Sequence, residues 1–284
     1  MNLTAATRLA GVVGHPIAHS LSPVLHNAWL EAASLDGAYL AFSVDPKRFA
    51  AFIEGLRGGS LAGLNVTLPF KTDALAAADH VSGRAQAAGA ANLLVFRQDG
   101  TVAADNTDGE GLLYAFARQA PGFRPDSGPA VLFGAGGAAR GAAATFLAAG
   151  CPEVRIVNRT RARAEALSTA LGGAIRIFDL ADAAAALDGA ASVINASSAG
   201  LGAAAAPPPD LTAAPAHAVV MDMTYRPLRT PFLLAGAAHG LVTVDGLDML
   251  IGQAMPAFEA FFGQMPPAGC DVRRRVLQVL GHPE

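Results

Sequence analysis

The chain has 284 residues, and 20 Lys+Arg against 23 Asp+Glu give it a formal net charge of −3. Because the cations form no run longer than the three arginines at 273–275, the sequence lacks the clustered positive charge that is typical of a nucleic-acid-binding protein. Only 15% of the residues are charged and 52% are hydrophobic, which is typical of a folded chain, and the length suits two domains.

Short apolar runs alternate with Ala-rich stretches along most of the chain. The predicted strands are Leu9–Val13, Tyr39–Val44, Leu64–Leu68, Asn92–Phe96, Val102–Ala104, Ala130–Phe133, Val154–Asn158, Arg176–Phe178, Ser192–Asn195, Val219–Met223 and Leu241–Val244. Helices are predicted at Pro23–Ser34 and Ala138–Ala149, and two more within Leu247–Leu280. This alternation predicts an α/β fold with mostly parallel sheets. The segments Pro121–Gly128 and Ala203–Pro209 read as loops, the first at the entrance to a second unit.

Two serines follow the first predicted strand. Ser20 and Ser22 are two residues apart, so in extended backbone their hydroxyls point the same way and suit a carboxylate ligand. The alternative is that Ser22 caps a helix with Pro23 in its first turn. The nearby histidines lack the carboxylate or thiolate partners of a metal site, so no metal is expected.

A second group of polar residues lies at strand ends. Asn65 and Thr67 share one face of the third strand, and Lys71 follows a turn. Asn92 interrupts an apolar run, and Asp108 stands where a strand gives way to a helix. Lys71 and Lys47 are the only lysines among the 20 cations. Lysine, unlike arginine, can lose its proton when desolvated, so a lysine retained in an arginine-rich chain marks a candidate for proton transfer. The alternatives are that genome composition alone explains the scarcity of lysine, and that Lys71 forms a surface salt bridge with Asp73 or Asp108.

A glycine-rich turn joins the strand Ala130–Phe133 to a helix. Gly134, Gly136 and Ala139 match the G-x-G-x-x-G/A pattern, in which a helix N-terminus receives a pyrophosphate. The alternative is an ordinary Gly-rich turn.

The next strand ends without the acidic residue that binds the ribose of NAD. Asn158, Arg159, Thr160 and Arg163 stand there instead, a set that suits a 2′-phosphate and favours NADP over NAD. The alternative is that Arg161 and Arg163 lie on a solvated helix face, and this alternative carries weight for Arg161, whose spacing points it away.

The two cysteines, Cys151 and Cys270, form neither a disulfide framework nor a metal spacing, which fits a reducing cytoplasm. The first residues lack the pattern of a signal peptide, and no stretch reads as a membrane span. We therefore expect a cytoplasmic protein with small-molecule ligands and no nucleic-acid or membrane partner.

Eight short motifs occur in order along the chain. They are HSLSP at 19–23, NVTLPFK at 65–71, GAAN at 89–92, NTDG at 106–109, GAGGAAR at 134–140, NRT at 158–160, DMTY at 222–225 and GQA at 252–254. In this combination the chain resembles the shikimate dehydrogenase family.

The resemblance implies a two-domain α/β protein with its active site in the cleft. Residues 1–108 and 247–284 would form a substrate-binding domain, completed by the C-terminal helices, and residues 109–246 a Rossmann-like NADP-binding domain. The implied reaction is the reversible, NADP-linked reduction of 3-dehydroshikimate to shikimate in aromatic amino-acid biosynthesis. Members of the family are monomers or homodimers.

The resemblance also assigns roles to residues. Lys71 and Asp108 would handle the proton at the reacting oxygen. The substrate would contact Ser20, Ser22, Thr67, Asn92, Tyr225 and Gln253. NADP(H) would contact Gly134, Ala135, Gly136, Gly137, Ala138, Asn158, Arg159, Thr160, Arg163, Met223 and Gly246.

The chain departs from the common family pattern at Gly83, Leu93, Ala104 and Asp248, none of which removes a catalytic group. Two alternatives follow from this divergence. One is a quinate/shikimate dehydrogenase that uses NAD or both cofactors. The other is a catalytically silent sensor of NADP or a shikimate-like acid, although such a sensor is expected to have lost Lys71 or Asp108.

Overall fold

The computed structural model describes residues 3–197 and 207–281. The chain divides into two compact units, Met1–Thr107 with Leu250–Glu284, and Asp108–Met249. These divisions lie one residue and three residues from the domain boundaries expected from sequence. Asp108 therefore groups with the second unit, because it opens a helix that packs there.

The first unit is built on a mixed sheet of six strands in the order β2-β1-β3-β5-β6-β4. The strands are β1 (Arg8–Gly14), β2 (Gly37–Ser43), β3 (Leu61–Val66), β4 (His80–Val81), β5 (Leu93–Phe96) and β6 (Val102–Asp105). The helices are α1 (Ser22–Ala32), α2 (Phe49–Leu56), α3 (Lys71–Ala76) and α4 (Gly83–Ala88). The pairs β3·β5 and β5·β6 are antiparallel, and the other pairs are parallel.

The second unit contains a sheet that is parallel throughout the described strands, in the order β12-β11-β10-β7-β8-β9. Its strands are β7 (Ala130–Phe133), β8 (Val154–Val157), β9 (Ile175–Phe178), β10 (Ser192–Asn195), β11 (Val219–Asp222) and β12 (Val242–Val244). Its helices are α5 (Asp108–Gln119), α6 (Gly137–Ala148), α7 (Arg161–Leu171), α8 (Ala183–Leu187) and α9 (Pro231–Ala238). This is the doubly wound Rossmann order, in which ligands bind at the switch point between the first and fourth strands, here β7 and β10.

Two further helices follow the second sheet. The helix α10 (Gly246–Phe262) begins in the second unit and continues into the first, and α11 (Val272–Val279) belongs to the first. The two helices predicted after Leu247 are therefore confirmed.

Each predicted strand coincides with an observed one, and the predicted α/β fold is confirmed. Sequence missed β4, because its two residues are both exposed and form no apolar run. The segment Pro121–Gly128 is a loop apart from a 3₁₀ turn at Pro125–Ser127. Of the loop predicted at Ala203–Pro209, residues 203–206 lie outside the described residues.

An aromatic cluster forms part of the core of the first unit. Trp29, Phe258 and Phe261 surround the fully buried ring of His26, which stacks on Tyr39 with ring centroids 4.0 Å apart. Burial lowers the pKa of His26 to about 3, so this histidine is a neutral core residue near pH 7. No described helix combines the length and apolar character needed to cross a membrane.

Candidate active site

The two serines of the HSLSP motif lie at the start of α1. The backbone N–H of Ser22 donates to Ser20 Oγ at 3.3 Å. Leu21 between them has helical φ/ψ values (−93°, −3°), so the expected extended backbone was wrong. Helix α1 has Leu21 as its N-cap and no side-chain cap bond, so Ser22 does not cap it. The two residues are brought together by a local hydrogen bond and not by strand geometry.

A buried tyrosine that sequence did not single out connects Ser22 to the third strand. The Tyr39 hydroxyl donates to Asn65 Oδ1 at 2.7 Å and shares a side-chain hydrogen bond with Ser22. Burial raises the pKa of Tyr39 well above 10, and the Ser22 bond offsets this in part. Tyr39 is therefore a neutral group that orients Ser22. The only sequence signal was a tyrosine within a predicted buried strand.

The NVTLPFK motif runs from the end of β3 into α3. Thr67 is half-buried, and its backbone N–H donates to the Val13 carbonyl at 3.0 Å. Lys71 is the first residue of α3 and is also half-buried. Its carbonyl accepts from the Ala91 N–H at 2.8 Å, while the Val66 N–H donates to the Asn92 carbonyl at 2.8 Å. These bonds attach both ends of the motif to the chain around Asn92.

Asn92 joins residues that are far apart in sequence. Its Nδ2 donates to Thr107 Oγ1 at 3.0 Å and to Gln253 Oε1 at 3.3 Å. Its Oδ1 accepts from the Thr107 N–H at 2.8 Å. The Thr107 hydroxyl also lies 2.8 Å from the Gln253 carbonyl oxygen. The structure thus places predicted Asn92 and Gln253 in one cluster. It adds Thr107, whose only sequence signal was membership of the NTDG motif.

The remaining predicted substrate and catalytic residues belong to the second unit. Asp108 is the first residue of α5, where the positive end of the helix dipole favours a carboxylate. Tyr225 is half-buried, and burial raises the pKa of its hydroxyl. It follows Met223, whose backbone N–H donates to the Asn195 carbonyl at 3.2 Å.

Gly246 allows α10 to begin directly against the backbone that precedes Tyr225. A Cβ at this position would lie 2.6 Å from the Met223 carbonyl oxygen, so only glycine fits. The structure therefore brings Met223 and Gly246 together, as expected for residues of one site.

The glycine-rich turn lies between β7 and α6. Gly134 has a φ of +117° and sits against the backbone of Ala196, next to the switch point. Cβ atoms placed on Gly136 or Gly137 would meet nothing within 4 Å. The turn consists of Gly134, Ala135, Gly136, Gly137 and Ala138. Helix α6 has no side-chain cap, so this open, exposed backbone can receive an anion at the N–H groups of the first helical turn.

A cavity of about 890 Å³ adjoins this turn. Its lining includes Gly134, Asn158, Arg159, Thr160 and Arg163. The residues predicted for the adenosine end of the cofactor therefore lie around one space. Its lining carries two arginines and also two aspartates, Asp210 and Asp222.

Arg161 is directed elsewhere. Its guanidinium pairs with Glu165 at 3.0 Å and with Asp179 at 3.4 Å, and it does not belong to the cavity lining. The structure thereby separates Arg161 from Arg159 and Arg163, a distinction that sequence spacing had left open.

A buried carboxylate that sequence reasoning missed organises the edge of this cavity. Asp222 Oδ2 accepts from Asn195 Nδ2 at 3.0 Å and from Thr230 Oγ1 at 2.7 Å, and its Oδ1 accepts from the Thr224 N–H at 2.9 Å. Asp222 is 2% exposed. It therefore ties the ends of β10 and β11 to the start of α9. The DMTY motif contained it, but only Met223 and Tyr225 were selected.

We expect Asp222→Ala to lower the free energy of unfolding by about 3 kcal/mol or more, because two buried donors and one half-buried N–H lose their acceptor. Urea denaturation measures this. Asp210→Ala is the matched control, since the exposed Asp210 carboxylate accepts the Thr212 N–H at 2.9 Å. Equal losses of unfolding free energy in the two variants would show that the hydrogen bonds of Asp222 stabilise the fold no more than the exposed bond of Asp210 does.

Known protein families match three segments of this chain. The shikimate dehydrogenase substrate binding domain matches residues 12–94, the shikimate/quinate 5-dehydrogenase family residues 121–202, and the shikimate 5′-dehydrogenase C-terminal domain residues 246–271. A shikimate dehydrogenase (NADP(+)) from Caulobacter vibrioides is 54% identical over 279 residues, 98% of each chain. The chain belongs to the shikimate dehydrogenase family.

Solved structures of the shikimate dehydrogenase family share the whole fold. Shikimate 5-dehydrogenase from Thermus thermophilus, in complex with NADP(H) and shikimate, is 36% identical with a TM-score of 0.83. The match covers 94% of this chain and 99% of that one. A quinate dehydrogenase from Corynebacterium glutamicum, in complex with NAD, is 27% identical with a TM-score of 0.85, covering 97% and 99%. The family fold therefore hosts enzymes named for either substrate.

Proposed function

We propose that this chain catalyses the reversible, NADP-linked reduction of 3-dehydroshikimate to shikimate. The observation that carries the proposal is 54% identity, over 98% of both chains, to a relative named shikimate dehydrogenase (NADP(+)). Lys71 and Asp108 are both present, so the expected sign of a silent sensor is absent.

The second unit offers a suitable site for NADP(H). The open turn at Gly136 and Gly137 fits a pyrophosphate, since no atom stands within 4 Å of where their side chains would be. Arg159 and Arg163 on the cavity wall suit a 2′-phosphate, with Asn158 and Thr160 beside them. Met223 and Gly246 would contact the nicotinamide end. When bound, this cofactor supplies the hydride that reduces a ketone.

The first unit offers hydroxyl and amide groups for a polyhydroxylated acid. Ser20 and Ser22 would hold the substrate carboxylate, with Ser22 oriented by Tyr39. Thr67, together with the joined pair Asn92 and Gln253, would bind ring hydroxyls. A substrate contact of Tyr225 stays a prediction.

Lys71 and Asp108 would act at the reacting oxygen. As an ammonium, Lys71 stabilises the developing alkoxide and gives it a proton, and in the reverse direction its neutral amine accepts that proton. Asp108 would help to orient the substrate for the same step. The negative charge that develops on the oxygen would thus be neutralised by a proton from Lys71.

Steady-state kinetics with shikimate and with quinate, each with NADP⁺ and with NAD⁺, test the proposal. We expect the highest kcat/KM with shikimate and NADP⁺. The expected preference for NADP⁺ follows from Arg159 and Arg163, which line the cavity where the 2′-phosphate would lie. Turnover of quinate with NAD⁺ alone would overturn the choice of substrate and cofactor. The absence of turnover with all four pairs would instead favour a sensor.

A monomeric or homodimeric state stays a prediction.

A further inference from the structure

The first turn of α5 touches α6 at a point where only glycine fits. Gly109 directly follows Asp108, and a Cβ at this position would lie 2.2 Å from Thr145 Oγ1 and 3.3 Å from Thr145 Cβ. The first distance is far inside van der Waals contact. A side chain at position 109 would therefore push the start of α5 away from α6.

Neither the Thr145 side chain nor the pair of helices α5 and α6 can move freely at this contact. The Thr145 hydroxyl donates to the Gly141 carbonyl at 2.8 Å, which holds its rotamer. Further along the same interface, the rings of Phe116 and Phe146 meet edge to face with centroids 5.8 Å apart. The core cluster that contains both rings also includes Leu112 and Ala115 of α5 and Ala139, Ala142 and Ala143 of α6. A clash at position 109 would thus tilt α5 about a packed contact, and its first residue, Asp108, would move most.

We infer that Gly109 is a positioning residue, which seats α5 on Thr145 of α6 and so fixes Asp108 relative to the turn that opens α6. That turn is the proposed pyrophosphate site, so the carboxylate and the cofactor would be held by one helix pair within one unit. The inference rests on the proposed function, in which Asp108 acts at the reacting oxygen.

The test is a compensating pair of variants. Gly109→Ala is expected to lower kcat about 10- to 100-fold, as small misplacements of catalytic groups do, with little change in the KM for NADP⁺. Adding Thr145→Ala removes both branches of the opposing side chain and is expected to restore most of kcat. Adding Thr145→Val instead removes the same hydroxyl bond to Gly141 but keeps the bulk, so this second double variant is expected to stay slow.

Two further measurements separate positioning from general destabilisation. In an Asp108→Asn background, Gly109→Ala is expected to lower kcat little further, because the group that it displaces has already lost its charge. Gly55→Ala, in α2 with no atom within 4 Å of the new Cβ, is the control for adding a methyl group to a helical glycine. Thermal unfolding of every variant reports whether the fold is kept.

The inference is overturned if Gly109→Ala keeps wild-type kcat, if Thr145→Val rescues as well as Thr145→Ala, or if the loss is undiminished in the Asp108→Asn background. Should Gly109→Ala alone fail to fold, the comparison of the two double variants still decides. If the wild-type chain turns over no substrate, the proposed function fails. In that case the thermal stabilities of the double variants still test the contact with Thr145.

Discussion

Replacing Lys71 with alanine is expected to lower kcat for shikimate oxidation about 10²- to 10⁴-fold, the usual contribution of a general acid–base group. The KM for shikimate is expected to change little, since the lost interaction grows with charge on the reacting oxygen. Stopped-flow or steady-state absorbance of NADPH measures the rate. Added primary amines provide a second reading, because a small amine entering the vacated space would restore part of the rate.

Lys71→Arg is expected to be nearly as slow as Lys71→Ala. Arginine keeps a positive charge at the start of α3 but does not release its proton, so it cannot serve as the base in the oxidative direction. The matched control is Lys47→Ala, which removes the chain's other lysine. Lys47 is exposed in a 3₁₀ turn whose contact with Asp45 is made by its backbone N–H, so its loss is expected to leave kcat unchanged.

The role of Lys71 in proton transfer would be refuted by near-wild-type kcat in Lys71→Ala. It would be refuted equally by full activity in Lys71→Arg, because a fixed cation would then be sufficient.

Cofactor choice is expected to depend on two arginines. Replacing Arg159 or Arg163 with alanine is expected to raise the KM for NADP⁺ about 10- to 100-fold, because each loses a charge-assisted contact to the 2′-phosphate. The KM for NAD⁺ is expected to stay the same, since NAD⁺ lacks that phosphate. Both side chains line the cavity beside the glycine turn, where the phosphate would lie. Initial-rate kinetics with each cofactor measure the ratio.

Arg161→Ala is the matched control for these variants. Arg161 is in the same short segment and carries the same charge, but its guanidinium is held by Glu165 and Asp179. We expect Arg161→Ala to leave the preference for NADP⁺ over NAD⁺ nearly intact. An equal loss of preference in all three variants would mean that overall positive charge near the segment, and not direct contact, selects the cofactor.

Several features of the molecule were readable from local sequence. The strands of the second sheet, such as Ala130–Phe133, are short apolar runs, here bounded by Gly128-Pro129 and Gly134, and that pattern is local. The glycine turn was also local, because the φ of +117° at Gly134 favours glycine there. The edge strand His80–Val81 was not predictable, since pairing with β6 forms it without an apolar pattern.

The candidate site was predicted in its parts and completed only by the structure. Motifs identified Asn92 and Gln253, but their hydrogen bond joins residues 161 positions apart. The roles of Tyr39 and Asp222 depend on partners that no spacing rule indicates, namely Ser22 and Asn65 for the first, and Asn195 and Thr230 for the second.

By itself, the sequence therefore determined the fold class, the family resemblance and the residue types available for chemistry. Periodicity and turn chemistry act over a few residues, so these features can be predicted from short stretches of sequence. The sequence favoured Arg163 over Arg161 at the cofactor, but only the tertiary structure showed that Glu165 and Asp179 hold Arg161 and that the helix begun by Asp108 is seated on α6. Both outcomes depend on contacts between side chains that are distant in sequence, and these contacts form only when the segments pack together.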